Sequence, residues 1–503
     1  MAGLTSEYID TTGNIADLVS RSALKYSGHP AFIDVTSVTP KWWGSVNQSV
    51  DVEASRLQRA GVTPGDRVVV RLPNCSALAI AVFGVLRAGG VVVPMNPQAP
   101  AAELDWVLTD SGALHVISDE PVGLPEGVQL LSAPGESSIG DEAPQVSAAQ
   151  DSGRGGEDLA VLAYTSGISG RPRGVMLSHR ALIANVAQCR ELVPPPVQAE
   201  DRVLLALPLF HSYGLGPGLF QAAAAGATAI LVPRFEPQAV VDAMIEHRAT
   251  TFIGVPTMYQ ALLSAEPDRL REAFAGVRLA TSGAAPLEPP LAAAFREATG
   301  LEIFEGYGMT ETGPVLTTTL VGGLIKPGSV GRPIPGVQLR LVDADGEPLP
   351  DEDEGGTGLV SVRGDNLFLG YWPDAEQGPG ADGWLVTSDV GYLDVDGDLH
   401  LVDRQGDLII VNGFNVYPHE VERTLLELPQ LDQAAVVGVQ DARTGEAVKA
   451  VLVPRQGSRL TEDEVAEHCR VRLARFKVPT IVEFADDLPH TATGKINRRA
   501  LRR

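Results

Sequence analysis

Cysteine is scarce: 3 in 503 residues, Cys75, Cys189 and Cys469. Their wide separation fits neither a disulfide framework nor a zinc pattern and points to a reducing cytoplasm. Basic charge is also short, with 39 Lys and Arg against 63 Asp and Glu and a net charge of −24. A phosphate backbone needs a basic face, so nucleic acid is not the expected partner. The opening "MAGLTSEYIDTTGN" lacks a basic stretch followed by an apolar core, so no secretory signal is expected. One long uncharged run, Ser212 to Pro233, reads as a buried helix leading into the strand "AILVP" rather than a membrane span, since it carries "GLGPG", Gln221 and the weakly apolar "AAAAGATA". The nucleotide loop G-x-x-x-x-G-K-[ST] is missing as well.

The chain is otherwise ordinary: 44% apolar and 20% charged residues suit a globular protein, and the length calls for two or more domains. The first part alternates short apolar strands with helices, as in "DRVVVRLPN", "SALAIAVFGVLRAGG", "VVVPMNP", "AAELDWVLTDSG" and "LHVIS". The rhythm returns at "DRVLLALPLFH", "ATAILVP", "TTFIGVP" and "VRLATSGAAP", so two helix-covered parallel sheet systems are expected. Residues 121–157, rich in Pro, Gly, Ser and acids, read as a surface excursion. After about Gly328 come short alternating strands with Asp-Gly turns, as in hairpins. The last hundred residues mix helices ("YPHEVERTLLELP", "TEDEVAEHCRVRLARF") with strands, a small α/β unit bounded near Asp403–Gly406. Between Arg470 and Arg503 there are nine Lys and Arg against three Asp and Glu, either a solvated surface or a contact for an anionic ligand or acidic partner.

The stretch "YTSGISGRPRGVMLSH" groups glycines, hydroxyls and arginines directly after an apolar run. Small residues let backbone N–H groups converge on an anion, while hydroxyls and a cation add to its hold. It is followed by "LPLFHSYGLG", "VPTMY", "TSGAAPL", "EGYGMTETG", "GWLVTSDVGYL", "DRQGDLIIVNGFNVYPHEVE" and "LPHTATGKINRRAL". In this order the eight stretches resemble the adenylate-forming (AMP-binding) superfamily, in particular its acyl-CoA synthetases, over nearly the whole chain. The resemblance implies an α/β fold: a large N-terminal domain, 1–403, of helix-covered sheets plus a distorted β-barrel, and a small mobile α/β C-terminal domain, 404–503.

It also implies a chemistry. A carboxylate attacks the α-phosphate of ATP, pyrophosphate leaves, and a thiol, by default that of coenzyme A, then displaces AMP from the acyl-adenylate. An anion attacking a polyanion needs positive charge and pre-aimed donors, and Mg²⁺ is the usual bridge. By resemblance Thr165, Ser166, Gly167, Ser169 and Gly170 wrap the phosphates, with Arg173 as a nearby cation. Ile168 stands where threonine is usual and Arg173 where lysine is usual, a change of geometry at constant charge. Gly283, Ala284, Ala285, Gly306, Tyr307, Gly308 and Met309 belong to the nucleotide pocket, with the Tyr307 ring stacked on adenine. Thr310 and Glu311 match the phosphate and Mg²⁺ ligands, since a carboxylate beside triphosphate calls for a cation between them. Asp389 and Arg404 match the ribose pair. Lys495 matches the lysine bridging the acyl carboxylate and α-phosphate. Gly406 takes the hinge position, usually Asp or Lys, and Asn412, Gly413 and Phe414 match the pantetheine tunnel. Asp394, Asp396 and Asp398 lack the distal glutamate of a calcium loop and read as a hairpin turn.

His211 resembles the residue guarding the acyl pocket, for which Tyr213, Gly214, Val255, Met258, Ser282 and Met309 are further candidates, with Gly216, Gly218 and Gly283 as small neighbours. No arginine for a second carboxylate is evident, so an aliphatic fatty acid is expected first and an aryl acid second. The acceptor is coenzyme A or, alternatively, an acyl carrier protein's phosphopantetheine arm. A non-catalytic nucleotide-binding relative and a luciferase-like oxidoreductase remain open. Residues 36–50, "TSVTPKWWGSVNQSV", with their paired tryptophans, depart from the usual opening of the family.

Overall fold

The computed structural model describes residues 10–502 except 38, 121–122, 136–151, 167–171, 323–324, 351–355, 405–406, 412–413, 442 and 491–495; at 166, 404, 414 and 415 the description covers the backbone. Much of the expected excursion over 121–157 therefore lies outside the described residues. The chain divides into two compact units, Met1–Leu339 with Val362–Leu385, and Arg340–Ser361 with Val386–Arg503.

The larger unit holds the two expected sheet systems. In the seven-stranded sheet, Arg67–Val70, Val91–Pro94, His115–Ile117 and Gln129–Leu131 run parallel. Leu159–Ser166 joins them in parallel and then turns back antiparallel into Pro172–Ser178. The connecting helices, Ser76–Arg87 and Ala101–Ser111, match the apolar runs of the sequence, and the first is almost wholly buried. Asp34 fixes its start by accepting from both the amide and the hydroxyl of Ser76.

The second sheet has nine strands, with a parallel centre running through Pro30–Asp34, Thr228–Leu231, Arg202–Leu205, Thr251–Gly254, Leu279–Ser282 and Ile303–Gly308. Alternation assigns two faces to these strands. Phe252 and Ala280 face a core built on Tyr259, Phe274 and Phe295, whose rings meet edge to face. Thr251, Ile253, Leu279 and Thr281 face the other way. The uncharged run becomes a π-helical segment Gly214–Phe220, a short α-helix Gln221–Ala225 and the strand Thr228–Leu231, all largely buried. Among the described residues no helix is long and apolar enough to cross a membrane. The paired tryptophans also find their explanation: Trp43 opens the helix Trp43–Arg59, is fully buried and meets Phe32 with ring centroids 5.7 Å apart, while Trp42 stays exposed.

The distorted barrel is corrected. Gln338–Val342, Gly358–Arg363, Leu385–Leu393 and Leu399–Arg404 form an open four-stranded sheet whose outer strands, the first and last named, do not pair with each other among the described residues. Closure would require that pairing. In the smaller unit, Leu431–Asp441 and Gly445–Pro454 form a long hairpin in a five-stranded sheet with Ile409–Val411, Phe414–Val416 and Ile481–Phe484. Helices Pro418–Leu426 and Glu462–Arg472 supply Val421, Leu425, Val465 and Cys469 to its core.

Candidate active site

The hairpin of Leu159–Ser166 and Pro172–Ser178 sets Thr165 opposite Arg173 and Ser166 opposite Pro172. Gly167, Ile168, Ser169 and Gly170, at its tip, lie outside the described residues. At its base the Arg173 guanidinium lies 3.6 Å over the Tyr371 ring and donates to Gln377 at 3.0 Å. Tyr371 sits on the strand Gly370–Tyr371, which pairs antiparallel with Pro172–Ser178. Its phenol donates to Oε1 of Glu311 at 2.7 Å. Burial, then the Glu311 charge and that hydrogen bond, push the Tyr371 phenol well up, against a smaller pull from Arg173.

Glu311 lies in the one-turn 3₁₀ helix Thr310–Thr312 after the strand Ile303–Gly308. The strand alternates: Ile303, Glu305 and Tyr307 are buried, while Phe304, Gly306 and Gly308 turn to the other face. Gly308 must be glycine, because a Cβ there would lie 1.8 Å from the Pro314 carbonyl oxygen. Met309 caps the turn, its amide donating to the Thr312 hydroxyl at 3.1 Å. Thr310 and Ser212 share a hydroxyl–hydroxyl bond of 3.1 Å, which brings the segment after His211 to the phosphate-ligand candidates. His211 itself packs on Phe210, centroids 4.6 Å apart.

Gly283 is wedged where a Cβ would meet the Tyr213 ring at 3.0 Å and the Gly306 carbonyl oxygen at 3.2 Å, and Ala284 takes φ +67°. A non-glycine residue in that region stores strain, as commonly found where a loop is shaped for a ligand. Ala285 follows in the same loop. Desolvation pushes the Tyr213 phenol up to about 12, opposed by a hydrogen bond with Thr281.

Beside Tyr213 and Gly306 runs a small, largely apolar crevice, a slot of about 70 Å³. Its walls include Leu192, Val197, Pro217, Ile253 and Val315, and Cys189, whose thiol burial pushes up to about 12, so it stays neutral there. Of the pocket residues expected from sequence, Tyr213 lines this slot. Gly214 instead packs against the Pro208 carbonyl oxygen, where a Cβ would come within 2.3 Å; Gly216 packs on Pro314 and Gly218 on Leu205. Val255 caps the helix Pro256–Leu262, which carries Met258, and Ser282 is buried on the opposite face from Thr281. Thr251, Thr281 and Thr318 line the slot and were not named from sequence; Gln221, noted there only as a polar residue inside an apolar run, lines it too.

In the smaller unit Asp389 and Arg404 are register partners on neighbouring antiparallel strands. Asp389 is 5% exposed. Asp394 accepts the amides of Asp396 and Asp398 at 3.0 Å each, which closes the turn between these strands. Gly406, Asn412, Gly413 and Lys495 lie outside the described residues. The flank of Lys495 is tied down: Asn497 donates its amide to the Pro489 carbonyl at 2.7 Å, and Arg498 donates to both oxygens of buried Glu422 at 2.6 and 2.7 Å. Burial raises the Glu422 carboxyl, but hydrogen bonds from His419, Arg498 and the Val436 amide outweigh it and hold it below the usual range.

In the larger unit the Arg173–Tyr371–Glu311 contacts and the Thr310–Ser212 pair lie beside a parallel sheet, an arrangement suited to a nucleotide-handling α/β protein. Residues 19–372 match the family described as AMP-binding enzyme, and 420–495 match the AMP-binding enzyme C-terminal domain. The chain belongs to the AMP-binding enzyme family, in its acyl-CoA synthetase branch of AMP-forming acid–thiol ligases. It is 41% identical over 458 residues to a feruloyl-CoA synthase of Amycolatopsis sp, covering 90% of this chain and 91% of that one. It is 34% identical over 545 aligned positions to a long-chain-fatty-acid–CoA ligase of Yersinia pestis, covering 98% and 94%. The crystal structure of ATP-bound MatB from Rhodopseudomonas palustris superposes with a TM-score of 0.87 at 33% identity, covering 97% of this chain and 98% of that one.

Proposed function

We propose that the protein joins a flat, compact aryl acid to coenzyme A through an acyl-adenylate. The observation that carries the acid class is the slot beside Tyr213 and Gly306: a small, largely apolar crevice suits a compact acid better than a long flexible chain. This reading puts aryl acids ahead of the aliphatic acids expected first from sequence. A relative named for feruloyl-CoA at 41% identity supports the same order. Among the described residues no Lys or Arg lines the slot, so a second carboxylate would find no counter-charge from them.

In the first step a carboxylate oxygen bonds to the α-phosphorus of ATP and the bond to pyrophosphate breaks. Tyr307 takes the adenine face, Asp389 and Arg404 the ribose hydroxyls, and the loop 165–170 with Arg173 the leaving phosphates. Lys495 holds the acyl carboxylate and α-phosphate together as charge moves between their oxygens. A carboxylate with neighbouring hydroxyls is a hard oxygen set that suits Mg²⁺, so Glu311, with Thr310 and Ser212 beside it, would hold that ion, which neutralises triphosphate charge. In the second step the coenzyme A thiol, losing its proton, bonds to the acyl carbon, and AMP leaves. Residues 404–503 act as the mobile part, turning at Gly406 to exchange Lys495 for the thiol path along Asn412–Phe414.

The test is a panel of aryl and aliphatic acids with ATP and Mg²⁺, with and without coenzyme A, read as pyrophosphate, acyl-AMP and thioester. The proposal expects aryl acids to give acyl-AMP alone and thioester once coenzyme A is added. Turnover confined to long aliphatic acids would overturn the acid class while leaving adenylation intact.

A further inference from the structure

The slot contains two polar atoms that the protein leaves unused. Gln221 is 2% exposed and Thr251 is 1% exposed, and both line the slot. The Gln221 Nε2 donates to the Val186 carbonyl at 3.1 Å, which fixes the orientation of its amide. Its Oε1 has no hydrogen-bond partner among the described residues, and neither does Oγ1 of Thr251. Buried polar atoms are nearly always paired, so two orphans on one cavity point to something that enters it.

Their depth can be read from the strand register. Thr251 pairs with Leu279, and Ser282 pairs with Glu305, so Gly306 stands about one residue beyond the level of Ser282. Four residues at about 3.3 Å each place Thr251 roughly 13 Å deeper along the strands than Gly306. The nucleotide candidates lie at the C-terminal ends of these strands, where ligands of parallel sheets bind. Thr251 therefore marks the far end of the slot, at a depth comparable to an arylpropenoic acid plus one hydrogen bond.

The atoms also define a chemistry. Oε1 of Gln221 can only accept, whereas the Thr251 hydroxyl can donate or accept. A neutral hydroxyl matches both, donating to Gln221 and accepting from Thr251. A carboxylate would face the Gln221 oxygen with no cation in the lining, and an ammonium would find no carboxylate there. We infer that Gln221 and Thr251 form a hydroxyl-recognition subsite, which selects aryl acids bearing a hydroxyl at the end opposite the carboxylate. This rests on the aryl-acid reading and names the class of acid within it.

The experiment compares 4-hydroxycinnamate with cinnamate through kcat/KM for acid-dependent pyrophosphate release by the full chain. The unaltered protein should prefer the hydroxylated acid by about 10- to 100-fold, the effect of leaving buried polar groups unpaired. Gln221→Leu and, independently, the near-isosteric Thr251→Val should each reduce that ratio to within about threefold, by loss on the hydroxylated acid, with KM for ATP unchanged. A general packing defect would lower both acids alike and would not move their ratio. Equal use of the two acids by the unaltered protein, as when the pair merely holds a water, overturns the subsite, as does a ratio that survives both variants. If only aliphatic acids react, the aryl reading falls and the subsite with it; if no acid releases pyrophosphate, adenylation itself falls.

Discussion

The phenol of Tyr371 donates to Oε1 of Glu311 at 2.7 Å, while the Arg173 guanidinium covers the ring from 3.6 Å. Three side chains from distant parts of the sequence thus form one stack at the base of the glycine loop. Tyr371 holds one oxygen of the Glu311 side chain. Tyr371→Phe removes a hydrogen bond to a charged group, an effect of about 1.5–3 kcal/mol. Acid-dependent pyrophosphate release at limiting Mg²⁺ should fall roughly 10- to 100-fold and recover partly as Mg²⁺ is raised. A Mg²⁺ titration of both proteins checks this; superimposable curves would remove Tyr371 from the site.

Arg173 contributes charge and a flat face. Arg173→Lys keeps the first and loses the second, and a cation–π contact contributes about 0.5–2 kcal/mol. That substitution should cost roughly 2- to 30-fold in kcat/KM for ATP, and Arg173→Met, which also discards the charge, clearly more. Steady-state kinetics against ATP separates the two. In the same loop Ile168→Thr adds a hydroxyl donor and should lower KM for ATP or raise turnover.

The described residues that follow Lys495 are anchored, Arg498 by Glu422. Lys495→Ala should abolish acyl-AMP formation yet spare thioester synthesis from supplied acyl-AMP. Arg498 anchors the segment through buried Glu422, so Arg498→Met should weaken the first half-reaction more than the second, and because the stranded carboxylate costs about 3–5 kcal/mol it should also lower the melting temperature. Half-reaction assays beside thermal melts test both variants; equal loss in both half-reactions would contradict the role given to Lys495.

Burial pushes the Glu305 carboxyl up to about 7, with the Leu287 amide pulling the other way. Unfolded, the group loses its proton near 4.5; folded, it keeps it to about 7. The native state therefore binds the extra proton between those values, and its stability declines as pH rises across them, by up to roughly 3 kcal/mol once above the upper one. Glu305→Gln, which can still accept from Leu287, should flatten this slope and raise the melting temperature more at pH ~8 than at pH ~5. Parallel melts of both proteins supply the check.

Strand–helix alternation and the uncharged run were legible because apolar periodicity is local. The site was legible only where its chemistry lies in continuous stretches, as in "YTSGISGRPRG" and "EGYGMTETG". Tyr371 and Gln377 were not, because they reach Arg173 through pairing between strands about two hundred residues apart. Glycines 214, 216 and 218 suggested pocket space from sequence; in the fold they are also packed closely against Pro208, Pro314 and Leu205. Gln221 and Thr251 looked unremarkable, since burial and a missing partner are properties of the folded chain. The barrel was expected from the family resemblance; among the described residues its strands form an open sheet, and sequence does not say whether edge strands meet.

The central claim is that a carboxylate oxygen of the acid bonds to phosphorus. Supplying an acid labelled with ¹⁸O in both carboxyl positions, with ATP, Mg²⁺ and coenzyme A, tests it by mass spectrometry of the nucleotide and phosphate products. The account predicts one labelled oxygen in AMP and none in pyrophosphate. AMP without label, or label in phosphate released from the terminal position, would contradict it.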